Sequence, residues 1–230
     1  MNVRDADRPP VLAHLRFAVE RASFHGLGLR ERFERIHAIN LWGAASSSSG
    51  LGSEQTAVSA LSAGLPTLLR ELSVSSLLDA PCGDAQWINR LGLELDYTGV
   101  DIVPEIVRSL QQRAAAREIA GRYLQADITT DPLPRADAVL CRDCLVHLSF
   151  AHIERAVRNL RRSGATWLIT TTFSALRSNH DCEDGDWRPL NLCRPPFGWP
   201  APAALLDERC DEAGGGYRDK SLGVWRLDSL

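Results

Sequence analysis

Asp79, Asp101 and Asp127 are three carboxylates that each close a short apolar run, a place from which an acid can accept hydrogen bonds or balance a cation. The first stands in Ser76-Leu-Leu-Asp-Ala-Pro-Cys-Gly-Asp-Ala85, where an apolar run, an acid, a turn at Gly83 and a helix start follow one another directly. Gly83 has no side chain to hold a ligand off the backbone, and the helix start beyond it offers free N–H groups. Asp101 closes Gly99-Val-Asp101-Ile, where a carboxylate can accept from both hydroxyls of a ribose. Asp127, in Gln125-Ala-Asp127-Ile, suits an adenine amino group.

The turn keeps one glycine of the dinucleotide fingerprint, and Asp79 and Asp84 flank it. A diphosphate favours helix-end N–H groups without anions nearby, so these acids oppose it. They attract instead an adenosine-bearing ligand whose other end carries an ammonium and a positive sulfur. An NAD-dependent oxidoreductase on the same sheet edge is the rival reading, and it requires a glycine-rich turn free of acids.

The elements that must position these residues read as a parallel sheet, because short apolar runs ending in polar residues alternate with amphipathic stretches from Ser75 onward. The pattern predicts strands at Ser76 to Asp79, Tyr97 to Asp101, Arg122 to Asp127, Ala136 to Cys141 and Thr166 to Phe173. It predicts helices at Ala85 to Leu91, Pro104 to Arg117 and Ala151 to Ser163. Right-handed crossovers then align the strands' carboxyl ends along one edge, where open α/β sheets bind ligands. Arg142 and Asp143 fall on the same edge.

Residues 1–74 read as a tail and a helical cap, with helices at Val11 to Ala22 and Leu29 to Ile39. A small-residue loop spans Ala44 to Ser53, and a helical stretch from Glu54 to Leu72 restarts at Pro66. Residues 75–230 form the core, with an irregular acceptor-side segment at about 174–202 and two last strands at Leu205 to Cys210 and Ser221 to Leu227.

The 230 residues carry 26 basic and 29 acidic side chains, a net charge of −3. That balance gives no broad phosphate-binding footprint, so nucleic acid is not an expected partner. The charged N-terminus has no signal-peptide pattern, and no apolar stretch approaches the roughly 18 residues of a membrane span. A cytoplasmic protein without a membrane partner is expected, its six cysteines free thiols. Cys141-x-x-Cys144 is half a metal motif with no second pair, and no metal is expected.

Taken together, Leu78-Asp-Ala-Pro-Cys-Gly-Asp84, Asp101 and Asp127 resemble a class I S-adenosylmethionine-dependent methyltransferase, with the turn in a D-x-P-C-G dialect. Phe33-x-x-Ile36, Asn40-x-Trp-Gly43, Ser49-Gly-x-Gly-Ser53, Cys141 to Ser149, Gly185 to Leu192 and Asp219 to Trp225 resemble a narrower bacterial subfamily sometimes seen with surface-polysaccharide loci. The resemblance implies a Rossmann-like α/β fold, a mostly parallel sheet of about seven strands with an N-terminal helical cap. It implies that S-adenosylmethionine is the cofactor and that Asp79, Pro81, Cys82, Gly83 and Asp84 contact its methionine moiety. Asp101 and Ile102 would meet the ribose and adenine edge, Asp127 and Ile128 the adenine, and Arg142 and Asp143 the floor beneath the sulfonium.

The chain departs from the family pattern at Pro81 and Ala85, which replace glycines, and in lacking a long helix after the fifth strand. His147 is either a general base or a packed histidine, and Asp143 shares the acid–base candidacy. Trp42, Ser49, Ser53, Asn179, Trp187 and Arg188 are the acceptor-side candidates. The two indoles would stack on a sugar or an aromatic ring, and Arg188 would either clamp an anion or serve as a salt bridge within the loop. The expected acceptor is a small molecule, by analogy a sugar hydroxyl of a surface glycan precursor. The alternative is a non-catalytic S-adenosylmethionine-binding partner or sensor.

Overall fold

The computed structural model describes residues 8–43, 50–53 and 58–230. Of the acceptor-side candidates, Ser49 and the side chain of Ser53 lie outside the described residues, as do residues 54–57 of the expected third helix. Chain order runs α1 (Leu12–Glu20), a 3-10 turn, α2 (Leu29–Ala38), α3 (Ser59–Glu71), β1 (Ser76–Asp79), α4 (Gln86–Asn89), β2 (Asp96–Asp101), α5 (Pro104–Ala115) and β3 (Arg122–Gln125). It continues with β4 (Ala138–Cys141), α6 (Phe150–Arg162), β5 (Trp167–Phe173), β6 (Ala204–Asp207), the single turn α7 (Glu212–Gly215) and β7 (Lys220–Arg226).

The seven strands form one sheet in the order β3-β2-β1-β4-β5-β7-β6. β1 to β5 pair in parallel, whereas β7 runs antiparallel to both β5 and β6. This is the parallel sheet that the alternation of elements predicts, in the mostly parallel, seven-stranded Rossmann-like form that the resemblance implies. Consecutive parallel strands step outward from β1 on one side and from β4 on the other, so the crevice opens between those two, above their carboxyl ends.

The central strands β1, β4 and β5 are buried on both faces, as parallel strands covered by helices must be, whereas the edge strands β3 and β6 are partly exposed. Leu78, Val100 and Val139 pack on one side with Ile153, Ala156 and Leu160 of α6. Leu77, Leu140 and Ile169 pack on the other with Leu61, Leu65 and Leu69 of α3 and Leu110 of α5. Ahead of the sheet, Phe17 and Phe24 stack with ring centroids 5.0 Å apart, over Ile36 and Leu41.

Three local expectations differ. The helix after β1 is one turn rather than the span to Leu91, because Ala85 adopts a left-handed conformation and the chain turns again at Gly92. α3 continues through Pro66 instead of restarting there. Within α3, Gly64 allows a close approach, since a Cβ there would stand 2.4 Å from a methyl of Leu206. No helix among the described residues is long and apolar enough to cross a membrane.

The acceptor-side segment is irregular, as expected, but fastened to the sheet. Leu190 and Leu192 are fully buried, and Phe173 N–H donates to the Leu190 carbonyl at 2.8 Å. Trp225 of β7 is also buried, packs edge-on against Trp199 and donates its Nε1–H to the Pro200 carbonyl at 2.8 Å. Trp225→Ala is therefore expected to cost about 3–5 kcal/mol, as for other buried aromatic truncations, read as a lower urea midpoint at unchanged slope. A cost below about 1 kcal/mol would show that the loop holds itself without this anchor.

Candidate active site

The turn after β1 is held by the two strands beside it: Ala80 N–H donates to the Leu140 carbonyl and Cys82 N–H to the Val100 carbonyl, both at 2.8 Å. Gly99 permits this approach, for a Cβ there would lie 2.9 Å from Cys82 Sγ. Gly83, at φ +53°, then points its N–H to Asp101 Oδ2 at 3.0 Å, while Val103 N–H donates to Asp101 Oδ1 at 2.9 Å. Asp101 thus joins two strand-end loops through one buried carboxylate. Asp79 is also buried, and accepts from the Tyr97 hydroxyl at 2.7 Å.

Burial pushes Asp79 up to about 7, against the pull of the Tyr97 hydrogen bond, and Asp101 up to about 6, against those from Val103 and Gly83. Asp127 is half-buried and takes the backbone N–H and the hydroxyl of Thr129 on one oxygen, each at 2.7 Å.

These acids open onto one cavity of about 970 Å³, counted to its open mouth. Pro81, Cys82 and Gly83 form its turn side, and Ile102, Val103, Ile106, Ile128 and Leu148 its apolar walls. Leu29 and Phe33 of α2, with Trp42, cover it from the N-terminal segment; Leu29 and Phe33 share one face of α2 at four-residue spacing. Arg142, Asp143 and His147 complete the lining.

Arg142 is buried and its Nη2 donates to Glu208 Oε2 at 2.6 Å, with its guanidinium 5.5 Å from the Trp87 ring centre. Lys220 Nζ donates to Asp143 Oδ2 at 2.7 Å and lies 3.6 Å from Glu208. Burial alone would raise the Asp143 carboxyl, but the Lys220 ammonium and the Arg142 guanidinium outweigh it and hold the group well below the usual carboxylate range. Glu208 Oε1 and Trp42 Nε1 are buried with no hydrogen-bond partner among the described residues.

A second cavity adjoins the first and shares Trp42, Asp143 and His147 with it. Its other walls include Trp187, Glu212, Lys220 and the segment Gly50 to Gly52. Gly52 fits because a Cβ there would stand 2.6 Å from Asp143 Oδ2.

His147 stacks on Trp42 with ring centres 4.7 Å apart. Its Nδ1 lies 2.8 Å from the Asp186 carbonyl, which can only accept, so Nδ1 carries the proton and the neutral ring keeps a lone pair on Nε2. Burial pushes His147 down to about 4, against the opposing pulls of that hydrogen bond and of Asp143, so the ring is neutral near pH 7.

Some expected residues lie elsewhere. The Asp84 carboxylate accepts from Gln86 N–H at 3.2 Å and faces a shallow depression beside His37 and Glu105, outside the main cavity. Asn179 spends its amide on the loop: Nδ2 donates to the Asn191 carbonyl at 2.9 Å and Oδ1 accepts from Asn191 N–H at 2.8 Å. Arg188 is buried over the Phe150 ring and donates to the carbonyls of His180, Leu145 and Leu148, so it clamps backbone rather than an anionic ligand. An irregular segment has carbonyls that no ladder satisfies, and these two side chains satisfy them. Conversely, Lys220, Glu208 and Glu212 surround Asp143 without having been singled out as site residues. The β6/β7 pairing that brings them in has no local signature.

Residues 77–164 match a protein family described as a methyltransferase domain, a stretch from β1 through α6 that holds Asp79, Asp101, Asp127, Asp143 and His147. No curated protein matches the chain. Among solved structures, one concerned with converting a disulfide bond into a thioacetal group during echinomycin biosynthesis is 18% identical, with TM-score 0.48, over 71% of this chain and 81% of that one. Magnesium protoporphyrin IX methyltransferase from Synechocystis, with bound SAH, is 17% identical, with TM-score 0.42, over 67% and 71%. The PH0226 protein from Pyrococcus horikoshii is 21% identical, with TM-score 0.44, over 52% and 59%. The chain spans about half to two thirds of that last protein and of the bacterial Hen1 and Clostridium acetobutylicum methyltransferase structures it also matches, at 66% and 51% of their lengths.

A carboxyl whose folded pKa lies above its unfolded value of about 3.9 costs stability as pH rises through that window, because the unfolded chain releases the proton first. For Asp79 the window runs up to about 7. Asp79→Asn should therefore gain stability over the parent as pH goes from 5 to 8, by more than about 1 kcal/mol, in urea titrations of ligand-free protein. A difference independent of pH would contradict the raised pKa.

Proposed function

We propose that the chain is an S-adenosylmethionine-dependent methyltransferase acting on a small-molecule acceptor, with the cofactor in the first cavity and the acceptor in the second. What carries this reading is the pair of buried carboxylates, Asp79 and Asp101, at the neighbouring carboxyl ends of β1 and β2. The match of residues 77–164 to a methyltransferase domain supports it.

The donor chemistry fits the ligand. Asp79 would pair with its ammonium, Asp101 would accept from the ribose hydroxyls on lone pairs left beside the Gly83 and Val103 amides, and Asp127 would accept from the adenine amine. The apolar side chains Ile102, Ile128 and Leu148 would cover the base. Among the described residues lining the cavity a diphosphate has no matching cation: Arg142 is committed to Glu208 and Asp143, and His37 lies beside Glu105. When bound, S-adenosylmethionine supplies a methyl group activated by its positive sulfur.

Trp42, Asp143 and His147 line both cavities, so a nucleophile brought against His147 from the acceptor side would stand at their junction, next to the cofactor side. His147 Nε2 can take a proton from an acceptor hydroxyl, while the Asp186 carbonyl holds the ring's tautomer and direction. Alignment and exclusion of water supply most of the acceleration in such a transfer. A hydroxyl nucleophile follows from the base, and a sugar hydroxyl is the class we put first, since two indoles line the acceptor side.

Two measurements test the proposal. Calorimetry should show stoichiometric binding of S-adenosylhomocysteine and no heat with NAD; the reverse result would reject it. In turnover assays across an acceptor library, His147→Asn should lower kcat by about 10²–10⁴-fold. Its affinity for S-adenosylhomocysteine should stay within about tenfold of the parent's. An unchanged kcat would remove His147 from the chemistry, and cofactor binding without turnover of any acceptor would leave a binding protein.

A further inference from the structure

Among the described residues the charges around the second cavity do not balance, and the imbalance indicates what the acceptor carries; this inference rests on the methyltransferase reading above. Arg142 and Lys220 face Asp143 and Glu208 in one closed buried set, with contacts of 2.6 Å for Arg142 to Glu208 and 2.7 Å for Lys220 to Asp143. Two cations and two anions cancel. Glu212 stands outside that set: it lines the cavity, is half-buried, and its carboxylate receives no hydrogen bond among the described residues. Burial pushes its carboxyl up, with Lys220 pulling the other way and Asp143 and Asp211 adding to the rise.

Trp42 and Trp187 line the same space, and indole faces attract cations. His147 adds no positive charge near pH 7, because burial holds its imidazole neutral. We propose that Glu212, with the indoles of Trp42 and Trp187, forms a subsite for a protonated amine, so that the acceptor is an amine-bearing molecule whose hydroxyl is presented to His147. An ammonium there completes the charge balance and gives Glu212 the donor it lacks. A phosphate or carboxylate would face Glu212 and Asp143 with no uncommitted cation among the described residues that line the cavity, which selects against anionic acceptors.

The test is calorimetry on protein saturated with S-adenosylhomocysteine, using the matched pairs glucosamine with glucose and tyramine with 4-ethylphenol, and glucose 6-phosphate as the anion. At least one amine should bind about tenfold more tightly than its neutral partner, about 1.4 kcal/mol, with the phosphate ester weakest. The pair showing the preference tells a sugar from an aromatic acceptor. Glu212→Gln should erase the preference while the affinity for S-adenosylhomocysteine is retained. Equal binding within both pairs, no amine binding, tighter binding of the phosphate, or a preference that survives in Glu212→Gln would each overturn the proposal. Failure of the parent to bind S-adenosylhomocysteine would instead sink the cofactor reading beneath it.

Discussion

Asp101 accepts the amide hydrogens of Gly83 and Val103 on opposite oxygens of one buried carboxylate, and the candidate site is arranged around that pair of hydrogen bonds. It ties the turn after β1 to the loop after β2, bringing the backbone at Gly83 and the side chains of Asp79 and Asp101 to one rim. The arrangement is costly in the free protein, because burial opposes the charge on both acids, and the Tyr97 hydroxyl and two amides offset only part of it. A ligand that brings positive charge and hydroxyl donors relieves that cost, whereas a phosphate adds to it. The electrostatics of the rim therefore favour an adenosyl sulfonium over a dinucleotide.

Much of this rim was legible in the sequence, for a local reason. A parallel strand buried on both faces must be apolar and must end where its polar contacts begin, so Asp79, Asp101 and the turn at Gly83 announce both the strand ends and the ligand edge. Pairing across the sheet leaves no such mark. Glu208 follows β6 and Lys220 opens β7, and only the antiparallel register between those strands, with Glu208 N–H on the Lys220 carbonyl at 3.1 Å, sets them against Arg142 and Asp143. Asn179 and Arg188 mislead for a related reason: a polar residue in an irregular segment is as well suited to satisfying nearby carbonyls as to meeting a ligand, and spacing does not distinguish the two.

The β6/β7 hairpin gives the end of the sheet a second task. By delivering Lys220 and Glu208 to the residues after β4, it lets Arg142 and Asp143 stay ionised where burial alone would oppose their charges. Removing one member of such a buried set leaves its partners uncompensated, which costs more than the pairing itself contributes. Through Arg142 and Asp143 the set lines the first cavity and through Asp143 and Lys220 the second, and His147, its Nδ1 held by the Asp186 carbonyl, lines both. The first cavity follows the order of the parallel strands, while the second, proposed for the acceptor, is assembled from the hairpin, the loop after β5 and the N-terminal segment.

The central claim is that the acid-lined crevice between β1 and β4 receives a phosphate-free adenosyl ligand. A crystal structure of the protein grown with S-adenosylhomocysteine tests it most directly. The account expects the ligand in the cavity bounded by Asp79, Asp101 and Asp127, with its amino group and ribose hydroxyls on those carboxylates. Density for the ligand elsewhere on the molecule, or a crevice closed by protein side chains under saturating ligand, would contradict it.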